Sequence, residues 1–262
     1  MLPQRRHQQI LSMLEAQGEV KIRELARQFG VSTMTIRRDL EGLEQEGLLL
    51  RTHGGAIIPA GGENELPLIN KQASHQREKQ EIAETALGWI SPGMSLILDA
   101  GSTTAPLEMR LSEKAPLTVV TTDLEIAKAL SDVSDIDVFV TGGAVKGGVY
   151  RLEGEYTLHL LRAVAADIAF IGCDGFTEEF VYSNTMAQAS LKQAMMSAAA
   201  KRVLLADASK FGHAAFSKVA PTLDFEAVIS DAALDERAQT LLKQHGVALT
   251  PGNQTMAGDL SI

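Results

Sequence analysis

The chain has 262 residues, 45% of them apolar, and a formal net charge of −9, which allows one large domain or two ordinary ones and excludes a disordered chain. Residues 1–58 carry eight Lys or Arg and seven Asp or Glu, whereas the remainder carries 16 and 26. A nucleic-acid surface is therefore expected only as a local patch near the N-terminus, and an overall basic coat is excluded.

The first 58 residues are predicted to form a winged helix-turn-helix. Leu25 and Ala26 mark a short helix, and Ser32 is a good N-cap for the helix that follows a tight turn. The predicted elements are a helix from Pro3 to near Gly18, an extended segment at 19–22, a short helix ending at Gly30, a helix from Ser32 to Gly47, a strand at 48–52 and a tight turn at 53–55. This order of elements is typical of a DNA-binding unit with its helix-turn-helix at about 20–39.

The helix after Ser32 is predicted to enter a major groove. At about 100° per residue, Ile36, Leu40 and Leu43 share one face, and Arg38 lies on the opposite face. Short hydroxyls and guanidinium groups suit phosphates and base edges. The candidate DNA-binding residues are Ser32, Thr33, Met34, Thr35, Arg37 and Arg38 on the helix, with Arg51 and His53 on the wing. The alternative is an amphipathic surface helix followed by an ordinary hairpin.

Residues 59–75 are predicted to be a linker, because they are rich in Gly, Pro, Asn and Glu without periodicity. A long surface loop inside one domain is the alternative. Residues 76–255 are predicted to form a second domain, a doubly wound and mostly parallel α/β sheet, since apolar runs alternate with helices. The predicted strands are 95–99, 117–121, 136–141, 167–172, 202–206, 227–230 and 247–250, and the helices lie near 77–90, 104–112, 124–131, 155–165, 185–201 and 235–244.

Polar loops follow the carboxyl ends of these strands, where open parallel sheets bind ligands. The GSTT loop at 101–104 enters a helix, so its N–H groups, its hydroxyls and the positive helix end are expected to hold an anion. Carboxylates in the neighbouring loops suit the hydroxyls of a ligand. An anion site next to such carboxylates indicates a phosphorylated sugar as the ligand. The candidate residues are Asp99, Gly101, Ser102, Thr103, Thr104, Thr121, Thr122, Gly142 and Gly143 with Lys146, Asp174, Gly175, Asp207 and Lys210. A helix cap at GSTT and a plain turn at Asp174-Gly175 are the alternatives.

The sequence resembles the DeoR family of bacterial transcriptional regulators over nearly its whole length. The N-terminal match comprises Arg6, Ile10, Leu11, Leu25-Ala26, Phe29-Gly30-Val31-Ser32, Thr35-Ile36-Arg37-Arg38-Asp39-Leu40, Leu43, Gly47 and Arg51-Thr52-His53-Gly54-Gly55-Ala56. The segments DAGSTT, VVTTDLEIA, VTGG, AFIGCDGF, KQAM and LLADASKFG look like the sensor domain of the family. That domain is similar in fold to sugar-phosphate isomerases such as ribose-phosphate isomerase.

The resemblance implies a DNA-binding regulator that represses a carbohydrate catabolic operon and is released by a phosphorylated sugar. It places the phosphate on Gly101–Thr104, and Asp174 with Lys192 near the position of the isomerases' catalytic groups. The Asp-Gly-Ala-Asp pattern of ribose-phosphate isomerase is incomplete, because Phe176 and Thr177 follow Asp174-Gly175. This argues against isomerase activity. A homodimer or homotetramer on operator DNA is expected, since one small winged domain binds modestly.

No catalytic residue, metal or cofactor is expected. The six histidines are scattered and the single cysteine has no second cysteine to join it. There is no P-loop, no GxGxxG after a strand and no Gly-x-Ser-x-Gly elbow. The polar N-terminus and the lack of an 18-residue apolar run indicate a cytoplasmic protein without a membrane span. Two alternatives remain open: an isomerase or deaminase fused to a DNA-binding domain, and an oligomerisation domain without a ligand.

Overall fold

The computed structural model describes residues 3–45, 48–57, 75–146 and 150–251. The chain divides into two compact units, Met1–Ser74 and His75–Ile262. The predicted helix stop at Gly47 and the predicted linker, apart from its last residue, lie outside the described residues. So do the side chain of Lys146 and the last four residues of the predicted second domain. The predicted boundaries, 1–58 and 76–255, therefore stay predictions.

The first unit is a winged helix-turn-helix, as predicted. Its elements are α1 (Pro3–Gln17), β1 (Glu19–Lys21), α2 (Ile22–Phe29), α3 (Thr33–Gln45), β2 (Leu50–Arg51) and β3 (Gly55–Ile57). The described strands pair antiparallel in the order β1-β3-β2, so β1 joins the wing as an additional strand. A Cβ at Gly55 would lie 1.7 Å from the carbonyl oxygen of Val20, which explains the glycine where β3 meets β1.

The core of the first unit lies between its helices. Ile36, Leu40 and Leu43 of α3 are at most 1% exposed, which confirms the predicted apolar face. They pack with Leu25 of α2 and Ile10 of α1 in one apolar cluster. Burial of this stripe fixes the rotation of α3 about its own axis, so Thr33, Met34, Arg37 and Arg38 face solvent.

The second unit is an α/β domain. Its helices are α4 (Gln76–Leu87), α5 (Ala105–Glu108), α6 (Leu124–Ser131), α7 (Glu155–Ala163), α8 (Met186–Ser197) and α9 (Glu236–Gln244). Its strands are β4 (Ser95–Leu98), β5 (Leu117–Thr121), β6 (Ile136–Val140), β7 (Ala144–Lys146), β8 (Arg151–Glu153), β9 (Ala166–Gly172), β10 (Gly175–Phe176), β11 (Phe180–Ser183), β12 (Ala199–Leu205), β13 (Ser217–Pro221), β14 (Ala227–Ser230) and β15 (Leu249–Pro251). Short 3-10 turns lie at Leu111–Lys114, Ala208–Lys210 and Thr222–Asp224.

Seven of the described strands form one parallel sheet in the order β15-β14-β12-β9-β4-β5-β6. The chain runs outward from β4 to β6, returns to β9 on the other side of β4, and runs outward again to β15. The strand order therefore reverses between β4 and β9. Ligands of open parallel sheets bind in the crevice at such a switch point, outside the carboxyl ends of the strands.

The central strands of the sheet are buried on both faces, as the continuous apolar strands predicted, whereas the edge strand β6 is largely exposed. Leu96 and Leu98 of β4 belong to one apolar cluster, and Ile97 belongs to the other. Phe170 of β9 joins the first cluster, and Ile171 joins the second. This period of two follows from the pleat of a strand, and it confirms the doubly wound architecture.

Some elements differ from the sequence prediction. The predicted helix 104–112 is the short helix α5 followed by a separate 3-10 turn. The predicted helix 185–201 ends at Ser197, because Ala199–Lys201 pair with β9 as part of β12. The hairpin β7–β8 and the antiparallel sheet β10-β11-β13 were not predicted. In the part of the chain that is described, no helix has the length and apolar character needed to cross a bilayer.

Candidate functional site

The exposed face of α3 carries most of the predicted DNA-binding residues. Thr33, Arg37 and Arg38 are exposed, and the side chain of Met34 is 55% exposed. At the start of the helix, the Thr35 N–H donates to the Ser32 hydroxyl oxygen at 3.1 Å, and the two hydroxyl oxygens lie 2.9 Å apart. Ser32 therefore caps the helix, as predicted, and the longer side chains of this face are the ones that reach outward.

A cleft of about 630 Å³ opens beside this face, between α2, the start of α3 and the wing turn. Thr33, Arg37 and His53 line it together with two arginines of α2, Arg23 and Arg27. These two arginines were not predicted to contact DNA. Their spacing of four residues, which places both on one face of a short helix, is the signal in the sequence that could have found them.

Arg51 lies on the wing but is held by α3. Its N–H donates to Glu44 Oε1 at 2.9 Å, and its Nε lies 3.1 Å from Glu44 Oε2. Its side chain also comes within 4.0 Å of Glu41 Oε1. The guanidinium therefore fastens β2 to the C-terminal half of α3, a geometry in which it positions the wing.

The buried face of α3 is held to α1 by an ion pair. Arg6 donates from Nε to Asp39 Oδ2 at 2.6 Å and from its terminal nitrogen to Oδ1 at 2.9 Å. His7 Nε2 lies 3.0 Å from the same Oδ1. Burial opposes ionisation of Asp39, but the hydrogen bonds from Arg6 and His7 lower its pKa overall. The carboxylate is therefore charged, and it fixes the helix that presents Arg38 on its other side.

In the second unit, Asp99 follows β4 at the switch point and is 1% exposed. Its Oδ2 accepts from the Gly172 N–H at 3.0 Å and forms an ion pair with Lys192 Nζ. Lys192 comes from α8, 93 residues further along the chain, and is itself buried. The structure thus brings the predicted residues of β4 and α8 into contact across the crevice.

The threonines of the strand-end loops differ in what their hydroxyls contact. The Thr104 hydroxyl donates to the carbonyl oxygen of Asp99 at 2.8 Å, and the Thr121 hydroxyl donates to that of Leu98 at 2.9 Å. Both hydroxyls therefore hold the loops in place. The Thr103 hydroxyl instead accepts from Lys210 Nζ at 3.2 Å, so a cation stands directly over the GSTT loop. Thr122 is fully buried, and its hydroxyl has no hydrogen-bond partner among the described residues.

Asp207 and Lys210 follow β12 on one short turn. Lys210 Nζ lies 3.8 Å from Asp207 Oδ2, and the Ser209 hydroxyl donates to the other carboxylate oxygen. Burial opposes ionisation of Asp207, but Lys210, Ser209, Lys79 and His75 together lower its pKa. Asp207 is therefore a buried carboxylate whose ionised form is stabilised by the Ser209 hydroxyl and by the charges of Lys210 and Lys79.

Asp174 and Gly175 follow β9 at the same edge of the sheet. Asp174 Oδ2 accepts from the Asn184 N–H at 3.0 Å, and a Cβ at Gly175 would lie 2.3 Å from the carbonyl oxygen of His213. Buried Cys173, beside them, has a thiol pKa raised to about 12 by burial, with the charges of Lys210, Asp174, Lys192 and Asp207 acting on it in opposite directions. The charges of these four side chains thus all act on one buried thiol at the end of β9.

Gly142 and Gly143 lie between β6 and β7. The Thr157 hydroxyl donates to the carbonyl oxygen of Gly142 at 2.6 Å. A Cβ at Gly143 would lie 2.5 Å from both the Glu153 carbonyl oxygen and the Thr157 hydroxyl. Gly143 therefore lets the chain pass close to the hairpin β7–β8 and to α7, whereas Gly142 has room for a side chain but a φ of 71°, in the left-handed region that favours glycine.

A carboxyl group of raised pKa lies next to the GSTT loop. Burial, with the nearby carboxylates of Asp123 and Glu125, raises the pKa of Glu108 to about 7. Its Oε2 is buried and has no hydrogen-bond partner in the described part of the chain. Within the same residues, no group of three or more His, Cys, Asp or Glu is arranged to hold a metal ion.

A winged helix-turn-helix joined in one chain to an α/β domain defines a DNA-binding transcriptional regulator. Residues 6–60 match the model of a DeoR-like helix-turn-helix domain, and residues 74–232 match that of a DeoR C-terminal sensor domain. The chain belongs to the DeoR family of DNA-binding transcriptional regulators, which confirms the resemblance seen in the sequence.

The relatives cover both units. The chain is 35% identical to the HTH-type transcriptional regulator YgbI of Escherichia coli (strain K12) over 95% of this chain and 98% of the relative. It is 30% identical to the glycerol-3-phosphate regulon repressor of the same organism, over 93% and 97%. A structure of ribose 5-phosphate isomerase A from Methanocaldococcus jannaschii is 22% identical over 53% of this chain and 55% of its own, with a TM-score of 0.39. With regulators of this length as relatives, the chain is a regulator rather than an enzyme.

Proposed function

We propose that this protein represses a carbohydrate catabolic operon by binding its operator, and that a phosphorylated sugar bound at the strand ends of the second unit releases it. The proposal assigns α3 to the major groove and the GSTT loop to the phosphate. We also infer that the protein acts as a homodimer or homotetramer, because paired half-sites compensate for the modest affinity of one winged domain.

Charge and exposure support the DNA contacts. Arg38 and Met34 project from the face of α3 opposite its buried stripe, where base edges are in reach. Arg23 and Arg27 line the adjoining cleft with His53, a position that suits phosphates on either side of the groove. Arg51 acts indirectly in this arrangement, by holding the wing through Glu44.

The placement of Lys210 over Thr103 is the observation that carries the effector proposal. A lysine ammonium 3.2 Å from the hydroxyl of a loop that enters a helix provides both a charge and N–H donors for an anion. Asp207 lies 3.8 Å from the same ammonium, and Asp99 and Asp174 follow the neighbouring strands β4 and β9. Their carboxylates suit the hydroxyls of a sugar. A relative named as a glycerol-3-phosphate regulon repressor supports a phosphorylated ligand and repression.

The test is a thermal-shift panel on the full chain with inorganic phosphate, glycerol 3-phosphate and the phosphates of pentoses, hexoses and amino sugars. We expect at least one phosphorylated sugar to raise Tm, and its unphosphorylated parent to have no effect. Ser102→Ala with Thr103→Ala should abolish the shift, whereas Ser112→Ala, on the exposed 3-10 turn after α5, should retain it. A shift that persists in the double variant would place the ligand elsewhere. No shift with any phosphorylated compound would favour a domain that only oligomerises.

A further inference from the structure

One large apolar side chain lies on the solvent face of α3. Met34 is 55% exposed, and among the described residues it is the only large apolar side chain of this helix that is exposed. It takes no part in the apolar cluster of the first unit, which the opposite face of the helix forms through Ile36, Leu40 and Leu43. Packing within the fold therefore does not account for a methionine at this position.

Two neighbouring pairs of side chains on this face have different surroundings. Thr33 and Arg37 are one helical turn apart, and both line the cleft that α3 forms with α2 and the wing turn. Met34 and Arg38 are also one turn apart, but they are not among the described residues that line this cleft. The first pair lies beside the arginines of α2, which suits phosphates. The second pair is left for the base edges.

Met34 and Arg38 carry different chemistry for base edges. In the major groove, thymine presents its C5-methyl group and guanine presents the acceptors N7 and O6. An apolar side chain contacts the methyl group, whereas a guanidinium forms two hydrogen bonds with the guanine edge. Methionine is unbranched and flexible, so its thioether chain adapts to the position of a methyl group. The exposed pair on α3 therefore suits one thymine and one guanine.

We propose that Met34 reads the methyl group of a thymine in the operator and that Arg38 reads a guanine close to it. The inference rests on the proposed function, because it requires α3 in the major groove. Four residues of an α-helix span about 6 Å, and base pairs are stacked about 3.4 Å apart. The thymine and the guanine therefore lie within about two base pairs of each other in every half-site.

The test uses duplexes that the full chain selects from a random pool. Each thymine of a selected half-site is replaced in turn by uracil, which keeps the base pair and removes only the methyl group. We expect at least one replacement to weaken binding by wild type about 4-fold, which corresponds to ~0.8 kcal/mol for one methyl-sized group. The same replacement should have no effect on binding by Met34→Ala. It should keep its effect on Met34→Leu, which retains an apolar side chain, and on the control Met109→Ala, which removes an exposed methionine of the second unit.

Replacement of each guanine by 7-deazaguanine tests the second contact, because it removes the N7 acceptor and keeps the base pair. We expect a guanine within about two base pairs of the sensitive thymine to matter for wild type and not for Arg38→Ala. Absence of a uracil effect at every thymine, or its persistence in Met34→Ala, would overturn the role of Met34. A sensitive guanine further away would overturn the pairing with Arg38. If the full chain selects no preferred sequence, α3 does not read bases, and the proposed DNA contacts fail together with this inference.

Discussion

Replacing Arg6 by Met should loosen α3 without touching the exposed face that we propose contacts DNA. The guanidinium makes two hydrogen bonds to Asp39, at 2.6 and 2.9 Å, and the two residues are 5% and 6% exposed. Leaving one partner of a buried pair uncompensated costs about 3–5 kcal/mol. Because His7 stays 3.0 Å from Asp39, we expect the lower end of that range, ~3 kcal/mol. A free energy of this size is a factor of about 150 in an opening equilibrium.

Hydrogen exchange of the full chain measures this effect locally, because peptides from α1 and α3 report opening of the first unit. The control is Arg6→Met combined with Asp39→Asn, which removes both charges and should recover most of the stability. The pKa of Asp39 is lowered in the folded chain, so the contribution of the pair is present above the unfolded pKa of about 4 and is lost as the pH falls through the folded value. The difference between wild type and Arg6→Met should therefore shrink in acid. A loss below about 0.5 kcal/mol at pH 7, the usual size of a surface substitution, would refute the reasoning.

Three further substitutions test other parts of the structure. Arg38→Ala should weaken operator binding by ~1–3 kcal/mol and relax base preference at unchanged Tm, and a gel-shift titration with unchanged affinity would contradict the assigned face of α3. Gly143→Ala should destabilise the chain in urea by ~1–3 kcal/mol more than Gly142→Ala, since a Cβ finds nothing within 4 Å at Gly142 and two oxygens at 2.5 Å at Gly143. Glu108→Gln should raise Tm by about 2–4 °C at pH 8 and by less at pH 5. The reason is that the folded pKa of about 7 favours the neutral carboxyl, whose contribution is full below the unfolded pKa and is lost as the pH rises through 7. An equal rise for Glu113→Gln, an exposed carboxylate whose pKa Arg110 lowers, would count against burial as the cause.

The main sheet could be predicted because the sequence of its buried strands is continuously apolar. Segments such as Ile168–Gly172 are apolar at every position, as a strand covered on both faces requires. Polar residues interrupt the pattern where each strand ends, so the loops that hold Asp99 and Asp207 could be placed at one edge. The buried stripe of α3 was predictable for a similar reason, since a helix of period 3.6 shows its core face in the sequence.

The small sheet β10-β11-β13 could not be predicted in the same way. Its strands are two to five residues long and mix polar with apolar positions, and Ser183 pairs with Ser217 across a long stretch of chain. The predicted end of α8 at residue 201 was wrong for another reason. Ala199–Lys201 has good helix propensity, but pairing with β9 places it in a strand, so tertiary contacts override the local preference.

At the candidate site, the sequence supplied the residues but not their roles. It could not show that the Thr104 and Thr121 hydroxyls are occupied by backbone carbonyls, whereas Thr103 faces Lys210. The contact of the Lys192 side chain with Asp99 could not be predicted either, because the two residues are 93 positions apart in the sequence. Such pairings depend on how the helices cross the sheet, and a local sequence pattern does not predict that arrangement.

The most direct test of the account is the release of DNA by a phosphorylated sugar. Operator sequences selected from random duplexes by the full chain are titrated with the panel compound that raises Tm most, for wild type and for Ser102→Ala with Thr103→Ala. We predict that the compound weakens DNA binding by wild type about 5- to 150-fold, the usual range of allosteric coupling, and that the double variant binds the same DNA but is not released. Unchanged DNA binding by wild type in the presence of every panel compound, or equal release of the double variant, would contradict the account.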